Sequence, residues 1–240
     1  MIKKIKGIVI KEIAYKETSK IIEVFTEDEG IISIMAKGAK RIKSPLFSGS
    51  SYLSYGEFCI YQKNNISTLK SVDVINSFKN IMKDVVKISA SSYIISLVTQ
   101  VYKQNAKTGI YDLLLSGLIK INDGINTLGI VNIIETKLLV YLGLNLHLDN
   151  CAICGGNDIV NISLDYSGYL CSNCTKNHLN PKALKLIKIY KTIDISKIDK
   201  LDVGDNLLFP INKFLDEYYY KYTGLYLKSK KFFIDVYNEF

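Results

Sequence analysis

Four of the chain's five cysteines lie in two Cys-x-x-Cys pairs at the ends of the stretch CAICGGNDIVNISLDYSGYLCSNC, residues 151–174. Two thiolates three residues apart on a tight turn can reach one metal ion at the zinc–sulfur distance of about 2.3 Å. Because a site closed by four sulfurs leaves no position for water, the spacing predicts one structural Zn²⁺ rather than a catalytic metal. The predicted ligands are Cys151, Cys154, Cys171 and Cys174.

The sequence alone is also compatible with other states of these cysteines. An iron centre takes the same four ligands, and four reduced cysteines without a metal are a further alternative. A thioredoxin-like dithiol is disfavoured, because two pairs are present and no βαβ pattern surrounds them. His147 and His178 flank the pairs and could replace a ligand, although surface or core histidines are commoner. Cys59, in the apolar segment FCIY, is expected to be a core residue.

The residues between the two pairs must bring them together. The segment IVNISLDYSGYLC alternates apolar and polar residues and contains Ser167-Gly168, which indicates a hairpin that returns the second pair to the first. Gly155 and Gly156 relieve crowding where backbone amides turn towards sulfur. We therefore expect a zinc ribbon over about residues 148–178.

Residues 1–77 contain five β-branched, apolar runs separated by turn residues, which predicts five short strands. Hairpin turns are expected around Glu27–Gly30 and again around 63–65, where the sequence is Lys-Asn-Asn. Five antiparallel strands in this length favour a small barrel, of which the OB-fold is the commonest example.

From residue 78 to residue 240 the apolar residues recur at helical spacing, and the ribbon interrupts this helical domain. The segments PINKFLDEYYYKY and KALKLIKIYK continue it, the latter after an Asn180-Pro181 helix start. No apolar run approaches 18 residues, so no membrane span is expected. Near the N-terminus, the apolar run Gly7–Ile10 is cut short by Lys11 and Glu12, too soon for a signal-peptide core, so we expect a cytoplasmic protein. At the start of the helical domain, apolar residues recur at spacings of three, four or seven, which is helical: Ile81, Val85, Ile88, Ile95, Val98 and Val101.

The formal net charge is +8, and residues 1–80 carry 13 basic against 8 acidic side chains. Such a balance suits a polyanionic partner, either a nucleic acid or an acidic protein tail. Arg41 is the one arginine among 31 basic residues. Since guanine is read mostly by arginine, a lysine-rich surface favours DNA binding that ignores sequence. Four cations lie in seven residues between the third and fourth strands: Lys37, Lys40, Arg41 and Lys43.

No P-loop, His-Glu-x-x-His or Gly-x-Ser-x-Gly motif is present, and the two histidines both flank the cysteine cluster. We therefore expect a protein that is not an enzyme. The alternatives are a zinc-ribbon enzyme that acts on nucleic acids, or a transcription or translation factor with a ribbon.

The chain resembles the family of the bacterial recombination mediator RecO. The segment GIVIKEIAYKETSKIIEVFTEDEGIISIMAKGAKR is similar to the family's opening block, and YLGLNLHLDNCAICGG with SGYLCSNC is similar to its zinc segment. Residues after about 181 match loosely. The chain departs from the family pattern with Lys40 where arginine is frequent and with Ser167 where a second glycine is common. Neither departure removes a metal ligand or a positive charge.

The resemblance implies an N-terminal OB-fold barrel and a C-terminal helical domain with the inserted four-cysteine zinc ribbon. It implies binding to single- and double-stranded DNA through the basic stretch at 37–43, and annealing of complementary strands. It also implies partnership with RecR and contact with the acidic, apolar C-terminal tail of single-strand-binding protein, so that RecA loads onto coated DNA.

Overall fold

The computed structural model describes residues 1–63, 65–104 and 108–239. It divides into two compact units, Met1–Lys79 and Asn80–Phe240. The first contains strands and the second contains the helices and the cysteine segment.

The first unit is a closed five-stranded barrel with the strand order β1-β2-β3-β5-β4, in which β1 also pairs with β4. All neighbours are antiparallel except β3 and β5, which are parallel. This is the order of an OB-fold, and it confirms the predicted fold class. The strands are β1 (Ile2–Tyr15), β2 (Ser19–Thr26), β3 (Gly30–Ala36), β4 (Tyr55–Tyr61) and β5 (Ser67–Asn76).

Buried apolar residues alternate with less buried residues along the strands, and the buried ones fill the barrel. Ile22, Val24 and Ile34 are fully buried, and Phe58 and Ile60 reach the same core from β4. Since successive side chains of a strand point to opposite faces, the residues between these positions lie on the outer face of the barrel.

The predicted hairpin at Glu27–Gly30 is confirmed. Thr26 pairs with Gly30 across the β2–β3 turn, and the Thr26 hydroxyl donates to the Gly30 carbonyl oxygen over 2.8 Å. Gly30 has a φ of 69°, a conformation that glycine adopts without strain. The other predicted hairpin includes Asn64, which lies outside the described residues, although β4 and β5 on either side of it pair antiparallel.

The second unit contains seven α-helices in the described part of the chain, together with a 3₁₀ turn at Ile195–Lys197. The helices are α1 (Lys79–Met82), α2 (Val85–Gln104), α3 (Ile110–Asn122), α4 (Thr127–Tyr141), α5 (Pro181–Thr192), α6 (Asp205–Thr223) and α7 (Lys228–Glu239).

The helix starts follow local capping. The Asn180 side chain accepts a hydrogen bond from the Lys182 amide over 2.9 Å, and Pro181 occupies the first turn, as predicted for α5. The segment PINKFLDEYYYKY lies in α6, which begins earlier, at Asp205, so that Pro210 lies inside the helix. Val85 is 44% exposed, because it stands at the first position of α2, ahead of the buried stripe.

Helix α2 is long and apolar enough, by length and composition alone, to span a bilayer. Half of its most apolar window is buried within the protein, where α2 packs against α3, α4 and α7. This packing accounts for its apolar composition, since the central helix of a helical bundle is apolar on several sides.

A polar network lies inside the helical unit. Glu135 on α4 is fully buried, and its carboxylate accepts hydrogen bonds from the Tyr93 hydroxyl, the Asn212 amide and the Lys230 ammonium. The Tyr219 hydroxyl donates to the Glu135 carbonyl oxygen over 2.8 Å. Burial raises the pKa of Glu135, and the Lys230 charge opposes that rise. The network therefore joins α2, α4, α6 and α7 through one charged pair.

Candidate metal centre and nucleic-acid interface

The two cysteine pairs are brought together by the predicted hairpin. Strands β6 (Ile159–Ser163) and β7 (Gly168–Cys171) pair antiparallel, with Ser163 opposite Gly168 and Ile159 opposite Cys171. The start of the module joins β7, because the Ala152 amide donates to the Tyr169 carbonyl oxygen over 2.8 Å. The first pair therefore lies beside the strand whose end carries the second pair.

Each pair occupies a tight turn. The Gly155 amide donates to the Cys151 carbonyl oxygen over 2.8 Å, and the Cys174 amide donates to the Cys171 carbonyl oxygen over 3.0 Å. All four sulfurs lie within 4.8 Å of one another, and those of Cys154 and Cys171 are 3.4 Å apart. A tetrahedron with about 2.3 Å from metal to sulfur has edges of about 3.8 Å. The four sulfurs thus fit the dimensions of a single tetrahedral ion.

The electrostatics of the four thiols also favour a cation. Burial disfavours the Cys151 thiolate, but hydrogen bonds from the backbone amides of Cys154, Cys171 and Ile153 outweigh it and lower the pKa of Cys151 to about 6. Hydrogen bonding to Cys154 and burial raise the pKa of Cys174 to about 12. Four thiolates so close together repel one another, so a bound divalent cation is what allows all four to ionise.

The glycines of the module meet different constraints. Gly155 has a φ of +74°, whereas a β-carbon on Gly156 would make an ordinary van der Waals contact with the Cys154 sulfur at 3.4 Å, so crowding at the sulfurs does not require either glycine. A β-carbon on Gly168 would lie 2.5 Å from the His147 carbonyl oxygen. Ser167 has a φ of +49°, a left-handed conformation that a residue without a β-carbon adopts more readily.

Among the described residues, neither the histidines nor Cys59 belongs to the metal-ligand group. His147 and His178 are exposed. Cys59 was expected in the core, and this is wrong. It is half-buried between the buried Phe58 and Ile60, so the alternation of β4 turns it to the outer face.

The module is fixed to the helices on both sides. The Leu179 amide donates to the Val160 carbonyl oxygen over 2.8 Å, and the Tyr169 hydroxyl donates to the Leu184 carbonyl oxygen of α5. The Tyr222 hydroxyl of α6 donates to the Leu164 carbonyl oxygen over 2.7 Å. A metal in this module would therefore stabilise the contacts of α5 and α6 as well as the hairpin.

The basic stretch lies on the loop between β3 and β4, residues 37–54, which we call the basic loop. Ala39 and Leu46 are buried in the barrel core and anchor it. The Ser44 amide donates to the Arg41 carbonyl oxygen over 2.8 Å, which closes a turn within it. The side chains of Lys37, Lys40, Arg41 and Lys43 are all exposed.

Ion pairing separates these four cations from the lysines of the strands. Lys3, Lys4 and Lys11 pair with Glu29, Glu57 and Glu23, and Lys20 pairs with Glu12. No described residue forms an ion pair with a cation of the basic loop. Carboxylates on neighbouring strands and turns thus neutralise much of the positive charge of β1, whereas the charge of the basic-loop cations is not neutralised by ion pairs with described residues. These cross-strand pairs depend on strand register, for which the sequence carries no local signal.

Aromatic side chains of the barrel could stack on bases, and they differ in exposure. Phe25 is 1% exposed and is therefore unavailable. Tyr15 is 40% and Tyr61 is 44% exposed, while Tyr52 and Tyr55 are half-buried. Two aromatic rings at strand ends remain accessible to a ligand.

Comparison with known proteins agrees with this architecture. The family model for the N-terminal domain of recombination protein O matches residues 1–78, and that for its C-terminal domain matches residues 82–231. The DNA repair protein RecO of Bacillus pumilus is 34% identical over 241 residues, covering 97% of this chain and 93% of that protein. RecO of Listeria monocytogenes is 31% identical over 236 residues, covering 95% and 92%. RecO of Shouchella clausii is 32% identical over 242 residues, covering 97% and 94%. With both domains matched along nearly the whole chain, this protein belongs to the RecO family, and its role is in recombinational DNA repair.

Proposed function

We propose that the protein is a recombination mediator that binds single- and double-stranded DNA without strong sequence preference and anneals complementary strands. With RecR, it helps to load RecA onto DNA coated by single-strand-binding protein. The supporting observation is the basic loop, whose four exposed cations have no ion-pair partner among the described residues. Such cations neutralise phosphates and reduce the repulsion between two strands.

The division of labour follows the two units. We assign DNA binding to the barrel, taken as residues 1–77, and partner binding to the helical domain, residues 78–240. The zinc module, about 148–178, holds one structural Zn²⁺ on Cys151, Cys154, Cys171 and Cys174, whose geometry fits that ion. The metal has a stabilising role in this arrangement, since four sulfur ligands fill its coordination shell.

The mediator reaction needs no hydrolysed nucleotide. Binding DNA and the acidic, apolar tail of the coat protein at the same time brings two coated strands together, and the loop charges screen the phosphates as they pair. We place this activity in the cytoplasm and assign no catalytic residue.

The test is annealing of complementary oligonucleotides, each coated by single-strand-binding protein, without nucleotide. Wild-type protein should accelerate duplex formation over the coated strands alone. The variant with Lys37, Lys40, Arg41 and Lys43 changed to alanine should lose most of this acceleration. Equal rates with and without wild-type protein would refute the proposal.

A further inference from the structure

An apolar strip crosses the outer face of the barrel beside the basic loop. Strand pairing places Ile13 opposite Ile21, and Ile21 opposite Met35, in one row over three strands. Tyr15 lies two residues further along β1, on the same face, opposite Ser19. The outer-face strip is defined as Ile13, Tyr15, Ile21 and Met35.

The basic loop starts at the same end of this strip. The Gly38 amide donates to the Ser19 hydroxyl over 3.2 Å, and the Lys40 amide donates to the Thr18 carbonyl oxygen over 2.9 Å. These two hydrogen bonds hold the loop against the β1–β2 turn. One of them is made to Ser19, the residue that lies opposite Tyr15. The cations Lys37 and Lys40 therefore border the aromatic end of the outer-face strip.

The turn itself contributes a third cation. The Lys16 ammonium lies 5.5 Å from the centre of the Tyr15 ring, within the range of a cation–π contact. Lys16 has a φ of 55°, a left-handed conformation in which a lysine is strained and in which glycine or asparagine is favoured. Strain of this kind recurs at functional sites. An exposed lysine here places positive charge against an exposed aromatic ring.

Acidic groups near the strip are largely neutralised. Glu23, on the same face, pairs with Lys11 over 3.6 Å, and Glu12 pairs with Lys20 over 2.6 Å. Glu17 in the turn is exposed and has no ion-pair partner among the described residues. The surface around Tyr15 thus carries three unpaired cations against one unpaired carboxylate, which favours an anionic ligand.

We propose that the outer-face strip is a base-stacking platform for single-stranded DNA, with a nucleobase on the Tyr15 ring and phosphates on Lys16, Lys37 and Lys40. This rests on the proposed function, in which the basic loop binds DNA. The strip adds a preference for single strands, because only an unpaired base has a free face to stack on a ring. Duplex DNA engages the same cations through its phosphates but gains nothing from Tyr15.

The test compares full-length wild-type protein with Tyr15→Ala and Tyr15→Phe by fluorescence anisotropy at fixed salt. The probes are a single strand, an abasic strand of equal length and a duplex. Loss of one stacked base should weaken binding of Tyr15→Ala to the single strand roughly five- to 150-fold. Binding to the abasic strand and the duplex should stay within about twofold of wild type, and Tyr15→Phe, which keeps the ring, should match wild type on all three.

Tyr61→Ala is the matched control, since Tyr61 is equally exposed at the end of β4. It should bind all three probes like wild type. Unchanged single-strand affinity in Tyr15→Ala, or equal losses on the ordinary and abasic strands, would overturn the platform. If Tyr15→Ala binds DNA like wild type but loses binding to an acidic, apolar peptide, the platform is also wrong, and the strip binds protein.

The alanine variant of the four basic-loop cations separates this inference from the proposed function. If that variant loses affinity for all three probes while Tyr15→Ala binds like wild type, the loop binds DNA and the platform alone is wrong. If the loop variant keeps wild-type affinity for all three probes, the placement of DNA on the loop is itself refuted.

Discussion

The Lys230 ammonium lies 2.7 Å from a carboxylate oxygen of Glu135, although 95 residues separate them. Both side chains are almost inaccessible, and Lys230 also reaches Asp216 at 3.3 Å. Changing Lys230 to methionine leaves the Glu135 charge buried without its cation. We expect the free energy of unfolding to fall by about 3–5 kcal/mol, measured by urea denaturation of purified protein.

Two variants test that reasoning. Lys231→Met removes an exposed lysine from the same helix and should change stability by less than about 0.5 kcal/mol. Lys230→Met combined with Glu135→Gln removes both charges, while glutamine can still accept from the Tyr93 hydroxyl. The double variant should be more stable than Lys230→Met alone, and a double variant less stable than the single one would contradict the account.

Metal removal should unfold the cysteine module. Purified protein should contain about one zinc per chain, and Cys151→Ser should lose it and destabilise the helical domain. Zinc binding contributes on the order of 10–16 kcal/mol to small zinc modules at neutral pH. Elemental analysis and thermal melting with and without a chelator measure both effects. Cys59→Ser is the control and should retain its zinc, because Cys59 lies on β4 of the barrel. Folded wild-type protein without any metal would refute the prediction.

The β6–β7 turn offers a pair of opposite substitutions. Ser167→Gly should raise the stability of the module by up to about 1 kcal/mol, because it removes the strain of a φ of +49°. Gly168→Ala should lower it, since the new β-carbon would meet the His147 carbonyl oxygen at 2.5 Å. Zinc retention during titration with a chelator measures both. Lower stability of Ser167→Gly would contradict the strain at Ser167, and unchanged stability of Gly168→Ala would contradict the steric contact at Gly168.

The features that could be predicted from the sequence are those that depend on residues close together in the chain. The cysteine pairs, the hairpin between them and the Asn180 cap follow from spacings of a few residues, and the structure brings the four sulfurs together. The barrel was predicted from the number and length of the apolar runs.

What the sequence missed depends on strand register and on distant packing. The ion pair of Lys4 with Glu57, the outward position of Cys59 and the Glu135–Lys230 pair each require knowing which strands or helices are neighbours. The role of the basic loop in DNA binding stays a prediction.

An acidic, apolar peptide with the chemistry of the coat-protein tail should bind the helical domain. Lys182 and Lys185 are exposed on α5, where they flank its apolar face, while Lys188 pairs with Asp149 over 3.0 Å. Full-length protein with the four basic-loop cations changed to alanine should bind the peptide as wild type does, by anisotropy. Loss of peptide binding in that variant would place the tail on the barrel instead.

The basic loop should determine how DNA binding responds to salt. Each phosphate that a cation neutralises on a single strand contributes about −0.7 to the slope of log K against log salt. If two to four of Lys37, Lys40, Arg41 and Lys43 contact phosphate, their replacement by alanine should flatten the slope by roughly 1.5–3 units. Stability should change by less than about 0.5 kcal/mol for each exposed charge, and zinc content should not change.

Glu17→Gln is the matched variant, because it removes a negative charge near the basic loop and should have the opposite effect on DNA binding. It removes the unpaired carboxylate beside Lys16 and should strengthen binding at low salt, with the gain fading as salt rises, because exposed charges are screened over about 10 Å at 0.1 M. The loss in the loop variant should also be similar on several unrelated oligonucleotides of equal length, since 30 of the 31 basic residues are lysines. A folded loop variant with wild-type affinity and slope would place the DNA site on another surface. Wild-type affinities that differ by more than about 3 kcal/mol between sequences would contradict binding that ignores sequence.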